Sequence, residues 1–227
     1  MKYTKTIVCF ANSRKTSGRC IAGKELRDRK PGNWVRPVSS RSTHEVSEEE
    51  RRYEDGHDPQ LLDILDVPCN AQQATSHQRE NHVIDPDYYW AKQGKLHWKD
   101  IKGWLDSPAV LWGVGYGSYS GLNNRVAVGQ EDGSSLYLVP VDSLRLLVGR
   151  KAPEYPDSKR AVRGEFVYRG TSYRMDVTDP VIERNYLNQG DGQYDIQHSV
   201  LCISLGDPYQ GYFYKLIAAV LHSERFK

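Results

Sequence analysis

The stretch Thr6–Val38, TIVCFANSRKTSGRCIAGKELRDRKPGNWVRPV, decides the fold. It reads as three short apolar strands, Thr6–Ala11, Arg19–Gly23 and Asn33–Val38, joined by two loops that carry most of the local positive charge. Residues 11–41 hold nine Lys or Arg against two acids, Glu25 and Asp28, a local net of +7 in a chain whose formal net charge is +2. Residues 42–66 reverse it, with nine acids against Arg51 and Arg52, a local net of −7. Charge is therefore segregated along the chain, which points to a polyanionic partner more strongly than the pI does. The alternative is two solvated loops that neutralise each other.

At 227 residues the chain can form one large domain or two small ones. Its 38% hydrophobic and 26% charged residues are ordinary for a soluble globular protein. No apolar run reaches a membrane-spanning length, and the first residues lack the pattern of a secretory signal, so a cytoplasmic location is expected. The cysteines, Cys9, Cys20, Cys69 and Cys202, form no CxxC pair. Cys9 and Cys202 fall in strand patterns and are expected as buried reduced thiols; no metal or cofactor is expected. Fifteen Tyr and five Trp against four Phe favour rings with a polar edge, suited to stacking on a ligand as well as to a small β-barrel core.

Working outward, Ser47 with Glu50 three residues on has the form of a capping box and predicts a short helix over Glu48–Tyr53. Leu61–Pro68 alternates as a strand returning to the first sheet. Asp87–Leu105 is read as two short helices linking two sheets, and GVGYGSYSGLNN (residues 113–124) as a flexible Gly-rich loop without the GKS or GKT ending of a phosphate-binding P-loop. Strands are predicted at Arg125–Gly129, Leu136–Val141, Leu144–Val148 and Val200–Leu205, with a hairpin of Glu165–Tyr168 and Tyr173–Val177 turned at Arg169-Gly170. Tyr212–Leu221 is apolar enough for a strand or a helix, and its KLIAAVL part favours a helix. No internal repeat of 20–50 residues is visible.

Together IVCFANSRKTSGRCIAGKE, NWVRPVS, LLDILDVPC, QRENHVID, VTDP and VLCISLGDPY resemble the dual OB-containing domain family, a group of prokaryotic proteins associated with conflict and defence systems. The resemblance runs from residue 6 to residue 208. It implies a mainly β chain of two tandem OB-like β-barrels joined by a helical connector, and a nucleic-acid-binding role, although OB barrels also bind sugars and proteins. The expected domains are residues 1–86, a connector over 87–124 and residues 125–227, the last with a C-terminal helix.

An OB groove holds single strands with a basic channel and aromatic platforms. Arg14, Lys15, Arg19, Lys24 and Arg36 are candidates for phosphates and Trp34 for stacking, since strand alternation puts Trp34 and Arg36 on one face. Gln78 and Asn81 have amides able to read a base edge. The structural alternative for Asn81 and His82 is to fix a loop by hydrogen bonds. Were the chain an enzyme acting on nucleic acid or a nucleotide, Glu80, His82 and Asp179 would be the acid–base candidates. A third reading makes the acidic 45–66 segment a docking surface for a partner protein. Asp179-Pro180 is otherwise read as the end of a strand.

Overall fold

The computed structural model describes residues 2–152, 154 and 157–227. The chain is mainly β, 53% strand and 11% helix, and divides into two compact units, Met1–Trp104 and Leu105–Lys227.

The first unit is built on β1 (Tyr3–Lys15), β2 (Gly18–Arg27), β3 (Lys30–Val38), β4 (Asp63–Gln72), β5 (Asn81–Ile84) and β6 (Ala91–Lys95), with helix α1 (Glu48–Arg51) between β3 and β4. The pairings β1-β2-β3-β5-β4, closed by β1–β4, make a ring of five strands. Every neighbour in it is antiparallel except β3 and β5. This is the strand order of an OB barrel. The opening strand must serve two partners, so its first half, Tyr3–Val8, pairs with β4 and its second, from Ile7, with β2. A register shift between Cys9 and Ala11 lets it curl. Gly23 sits where β2 crosses that curl, and a Cβ there would lie 2.2 Å from the Val8 carbonyl oxygen.

In the second unit the strands are β7 (Arg125–Ala127), β8 (Leu136–Arg150), β9 (Arg160–Tyr168), β10 (Thr171–Val177), β11 (Gly192–Tyr209) and β12 (Tyr212–Leu221), with helix α2 (Pro180–Gln189) between β10 and β11. The ring β8-β9-β10-β12-β11 closes on β8 and repeats the first order strand for strand, its third and fifth members, β10 and β12, again parallel. Leu144, Leu146, Phe166, Tyr173, Met175, Leu201, Ile203, Phe213 and Ile217 fill it.

Several predicted elements take this form. The capping box is complete, with Ser47 Oγ accepting from the Glu50 amide and the Glu50 carboxylate accepting from the Ser47 amide, although α1 ends at Arg51. The hairpin turn falls at Arg169 and Gly170, both at positive φ, 46° and 79°. Residues 113–124 form no strand and make isolated bridges, Ser118 with Gly121 and Leu122 with Arg174.

Others are corrected. Tyr212–Leu221 is a strand and not a C-terminal helix: its alternation, with Phe213 and Lys215 inward, closes the second ring against β10. Of the two helices read over Asp87–Leu105, the first is strand β6, built from an exposed Ala-Lys-Gln-Gly-Lys run that pairs with the free side of β4, and the second is a 3₁₀ helix, Trp98–Trp104. Leu136–Val141 and Leu144–Val148 are one strand curling round the barrel. The strand before Asp179 ends at Val177, but Asp179-Pro180 also opens α2, where proline needs no amide partner.

Candidate nucleic-acid interface

The β1–β2 hairpin carries a cluster of three cations. Its register sets Arg14 opposite Arg19 and Lys15 opposite Gly18, so the three cations gather at the turn; Arg14 is exposed and the other two are half-buried. The acidic segment docks beside them. Arg19 exchanges both backbone hydrogen bonds with Val46, at 3.0 and 2.9 Å, and Ser17 Oγ donates to the buried Glu45 carboxylate at 2.8 Å. Burial by itself would raise the Glu45 pKa, but hydrogen bonds from Ser17 and Thr43 and the charges of Arg41 and Lys15 hold it below the usual carboxylate range.

The same recombination of charge continues through α1. Glu50 takes Arg41 Nη2 at 2.6 Å and Ser39 Oγ at 2.8 Å, while the buried Arg51 guanidinium forks onto Asp58 at 2.7 and 3.2 Å. Glu48, Glu49, Glu54 and Asp55 stay exposed. The two oppositely charged runs thus neutralise each other in part across the hairpin.

Two predicted phosphate ligands lie in the interior. Lys24 is buried, its Nζ donating to the Trp104 carbonyl at 2.7 Å and standing 5.3 Å from the Trp34 ring centre. Arg36 is 4% exposed; its Nε meets Glu80 at 3.1 Å and its Nη1 the Cys20 sulfur at 2.8 Å. Burial works against its charge, yet Cys20 and Glu80 more than offset this and raise the pKa. Trp34 is half-buried, with its ring edge-on to Phe10 at 6.2 Å.

The segment expected to read a base or to perform acid–base chemistry closes the first ring. Asn81 and His82 stand opposite Arg36 and Pro37 in the parallel β3–β5 pairing, and the Arg36 amide donates to the Glu80 carbonyl at 2.8 Å. Asn81 and Gln78 are buried and bonded to each other at 3.1 Å. His82 is buried with Nδ1 2.7 Å from the Tyr3 hydroxyl; burial first, then the Lys5 ammonium, push its pKa below the ordinary value. Asp179 belongs to the second unit, where it caps α2 through the Val181 and Ile182 amides and accepts from the Val220 amide and Arg225. The structure therefore gives Glu80, His82 and Asp179 separate framework duties. Among the described residues no group of three or more His, Cys, Asp or Glu converges as a metal site.

A surface that no local motif announces lies on the second barrel. In the register of β7, β11 and β12, Tyr209 faces Tyr212 and Arg125 faces Tyr214, all four on the outward side, while Val126, Phe213 and Lys215 point inward and are buried. The Arg125 guanidinium lies 4.4 Å from the Tyr212 ring centre and 6.0 Å from that of Tyr214. Tyr116, from the Gly-rich loop, packs against Tyr212 at 5.6 Å, and Tyr209 against Tyr214 at 6.5 Å. The tyrosine excess was its only trace in the sequence, because these residues are brought together by strand pairing.

Two rings of the same OB strand order make the comparison with known families specific. The family model described as the dual OB-containing domain matches residues 5–220. The chain belongs to the dual OB-containing domain family. The match spans both rings, so the duplicated barrel is the family's own unit and not an accident of this chain. Comparison with curated proteins and with solved structures returns no match. No helix among the described residues is long and apolar enough to cross a membrane.

Proposed function

We propose that the protein binds single-stranded nucleic acid, with the β1–β2 hairpin of the first barrel as its phosphate-contacting edge. The observation that carries this reading is the gathering of Arg14, Lys15 and Arg19 at one hairpin end of an OB barrel. Lys24, Arg36, Gln78 and Asn81 support the edge from within, holding β2, β3 and β5 in place. A cytoplasmic setting agrees with four free cysteines, three of them buried. A role in prokaryotic defence rests on the sequence resemblance alone.

Titration of labelled single-stranded DNA and RNA oligonucleotides at low salt tests the proposal. Each phosphate contact removed lowers the slope of log affinity against log salt by about 0.7 for a single strand. Arg14→Ala combined with Lys15→Ala is expected to weaken binding and to flatten that slope by about 1.4. Absence of affinity for either polymer would refute the reading. Affinity whose salt slope is untouched by the double substitution would move the site elsewhere.

A further inference from the structure

The Gly-rich loop of the second unit is pinned by cations that have no acid to answer them. Arg125 donates through Nη2 to the Gly117 carbonyl, Arg163 reaches the Ser120 carbonyl at 3.5 Å, and Lys215 Nζ donates to the Gly113 and Asn123 carbonyls. Among the described residues none of the three forms an ion pair with a carboxylate. Elsewhere in the same unit Arg145, Lys151, Arg160, Arg174 and Arg225 all do. Carbonyl partners satisfy hydrogen bonds without neutralising a cation, and of the three it is Arg125 that lies on the outward face, Lys215 pointing into the barrel.

The Arg125 charge lies within the tyrosine surface. Tyr209 is 63% exposed and Tyr119, on the same loop as Tyr116, is 80% exposed. Burial would lower the free energy of such a ring, so leaving Tyr209 open on the sheet face that carries Arg125 has a cost that a ligand can relieve. We infer that the outward face of β7, β11 and β12 is a second nucleic-acid site, in which Tyr209 and Tyr214 stack unpaired bases while Arg125 attracts the phosphates. A neutral sugar would use the rings but not the charge, and an acidic peptide would use the charge but not the rings; a single-stranded polynucleotide uses both. The inference rests on the reading that the ligand is nucleic acid, and adds a site on the barrel where the sequence had placed none.

The experiment separates the two. The full chain is titrated with labelled oligo-dT and oligo-U, and with an abasic oligomer of the same length and charge. Tyr209→Ala is expected to weaken binding of the base-bearing oligomers about five- to a hundredfold at unchanged salt slope, since stacking carries no counterion term. Tyr209→Phe, which keeps the ring, stays within about twofold of the wild type, and affinity for the abasic oligomer does not change in either variant. Tyr209 is an exposed hairpin residue, so its replacement leaves the fold intact; a Tyr214→Ala variant checked by circular dichroism repeats the measurement on the adjoining ring. If both tyrosine variants bind as the wild type does while the Arg14 and Lys15 variant is weakened, the second site is overturned and the first reading stands. Equal affinity of the wild type for abasic and base-bearing oligomers leaves a charge-only surface and overturns stacking. No binding of any oligomer overturns both.

Discussion

Arg36 and Glu80 show what a buried charge commits a small barrel to. Their side chains are 5% and 8% exposed, and the Arg36 amide also bonds the Glu80 carbonyl, so the pair ties β3 to the start of β5 by backbone and side chain together. Glu80→Ala takes the carboxylate from a buried guanidinium and is expected to cost about 3–5 kcal/mol in urea denaturation. Replacing both partners with apolar residues of similar volume, Arg36→Met with Glu80→Leu, should recover most of the loss. A loss of nucleic-acid affinity in Arg36→Ala alone would thus report on folding, not on phosphate contact. Among the described residues Lys215 has no such partner. Burial lowers its pKa to about 8, below its value of about 10.4 in the unfolded chain. Between those values the unfolded state binds more protons, so stability rises with pH from about 8 upward, and below 8 the full penalty of about 3 kcal/mol applies. The urea midpoint of the wild type is expected to climb between pH 8 and 9.5 relative to that of Lys215→Met. Parallel curves would show that Lys215 titrates as an exposed lysine does.

Among the elements, the second strand of each ring repeats one device. Gly23 on β2 and Gly164 on β9 both lack room for a Cβ, but the obstacles differ. At Gly23 it is the Val8 carbonyl at 2.2 Å, which can move only if β1 moves; at Gly164 it is Ile217 Cδ1 at 2.4 Å, the end of a side chain with other rotamers. Gly23→Ala is therefore expected to cost about 3 kcal/mol and Gly164→Ala about 1 kcal/mol, read from denaturant midpoints at constant m-value. Equal costs would mean that the curl of β1 yields as easily as a rotamer. The acidic segment after β3 shows another use of an element: α1, four residues long and too short to be stable alone, is held by its capping box and by Glu50 receiving Arg41 and Ser39.

At the scale of the molecule, each ring closes on its own strands, through β1–β4 in one unit and through β10–β12 in the other, and each has its own buried apolar set. Closure within a unit means that its backbone hydrogen bonds and core do not depend on pairing with the other. Residues 1–104 and 105–227 expressed separately should each keep a β circular-dichroism spectrum and unfold cooperatively in urea. A fragment that unfolds without a transition would show that its ring needs the rest of the chain. The duplication itself was invisible as a sequence repeat, since the two rings share strand order and the parallel third–fifth pairing, not residues.

What the sequence determined by itself is what depends on neighbours in the chain. Alternation placed β1, β2 and β3, the Ser47–Glu50 spacing placed a helix start, Arg169-Gly170 placed a hairpin, and the assembled motifs pointed to the dual OB-containing family. The tertiary structure decided whatever depends on partners distant in the chain. It turned Tyr212–Leu221 into a strand, because an apolar run that fits either helix or strand takes the form its open ring requires. It made β6 from residues with little strand propensity, because β4 offered an unpaired edge. It drew Lys24, Arg36, Gln78 and Asn81 inward, because their partners, Trp104, Glu80 and one another, become neighbours only once the ring has closed. By the same closure it assembled Arg125 and four tyrosines into one face, a juxtaposition that spans residues 116–214 and that no local pattern could spell.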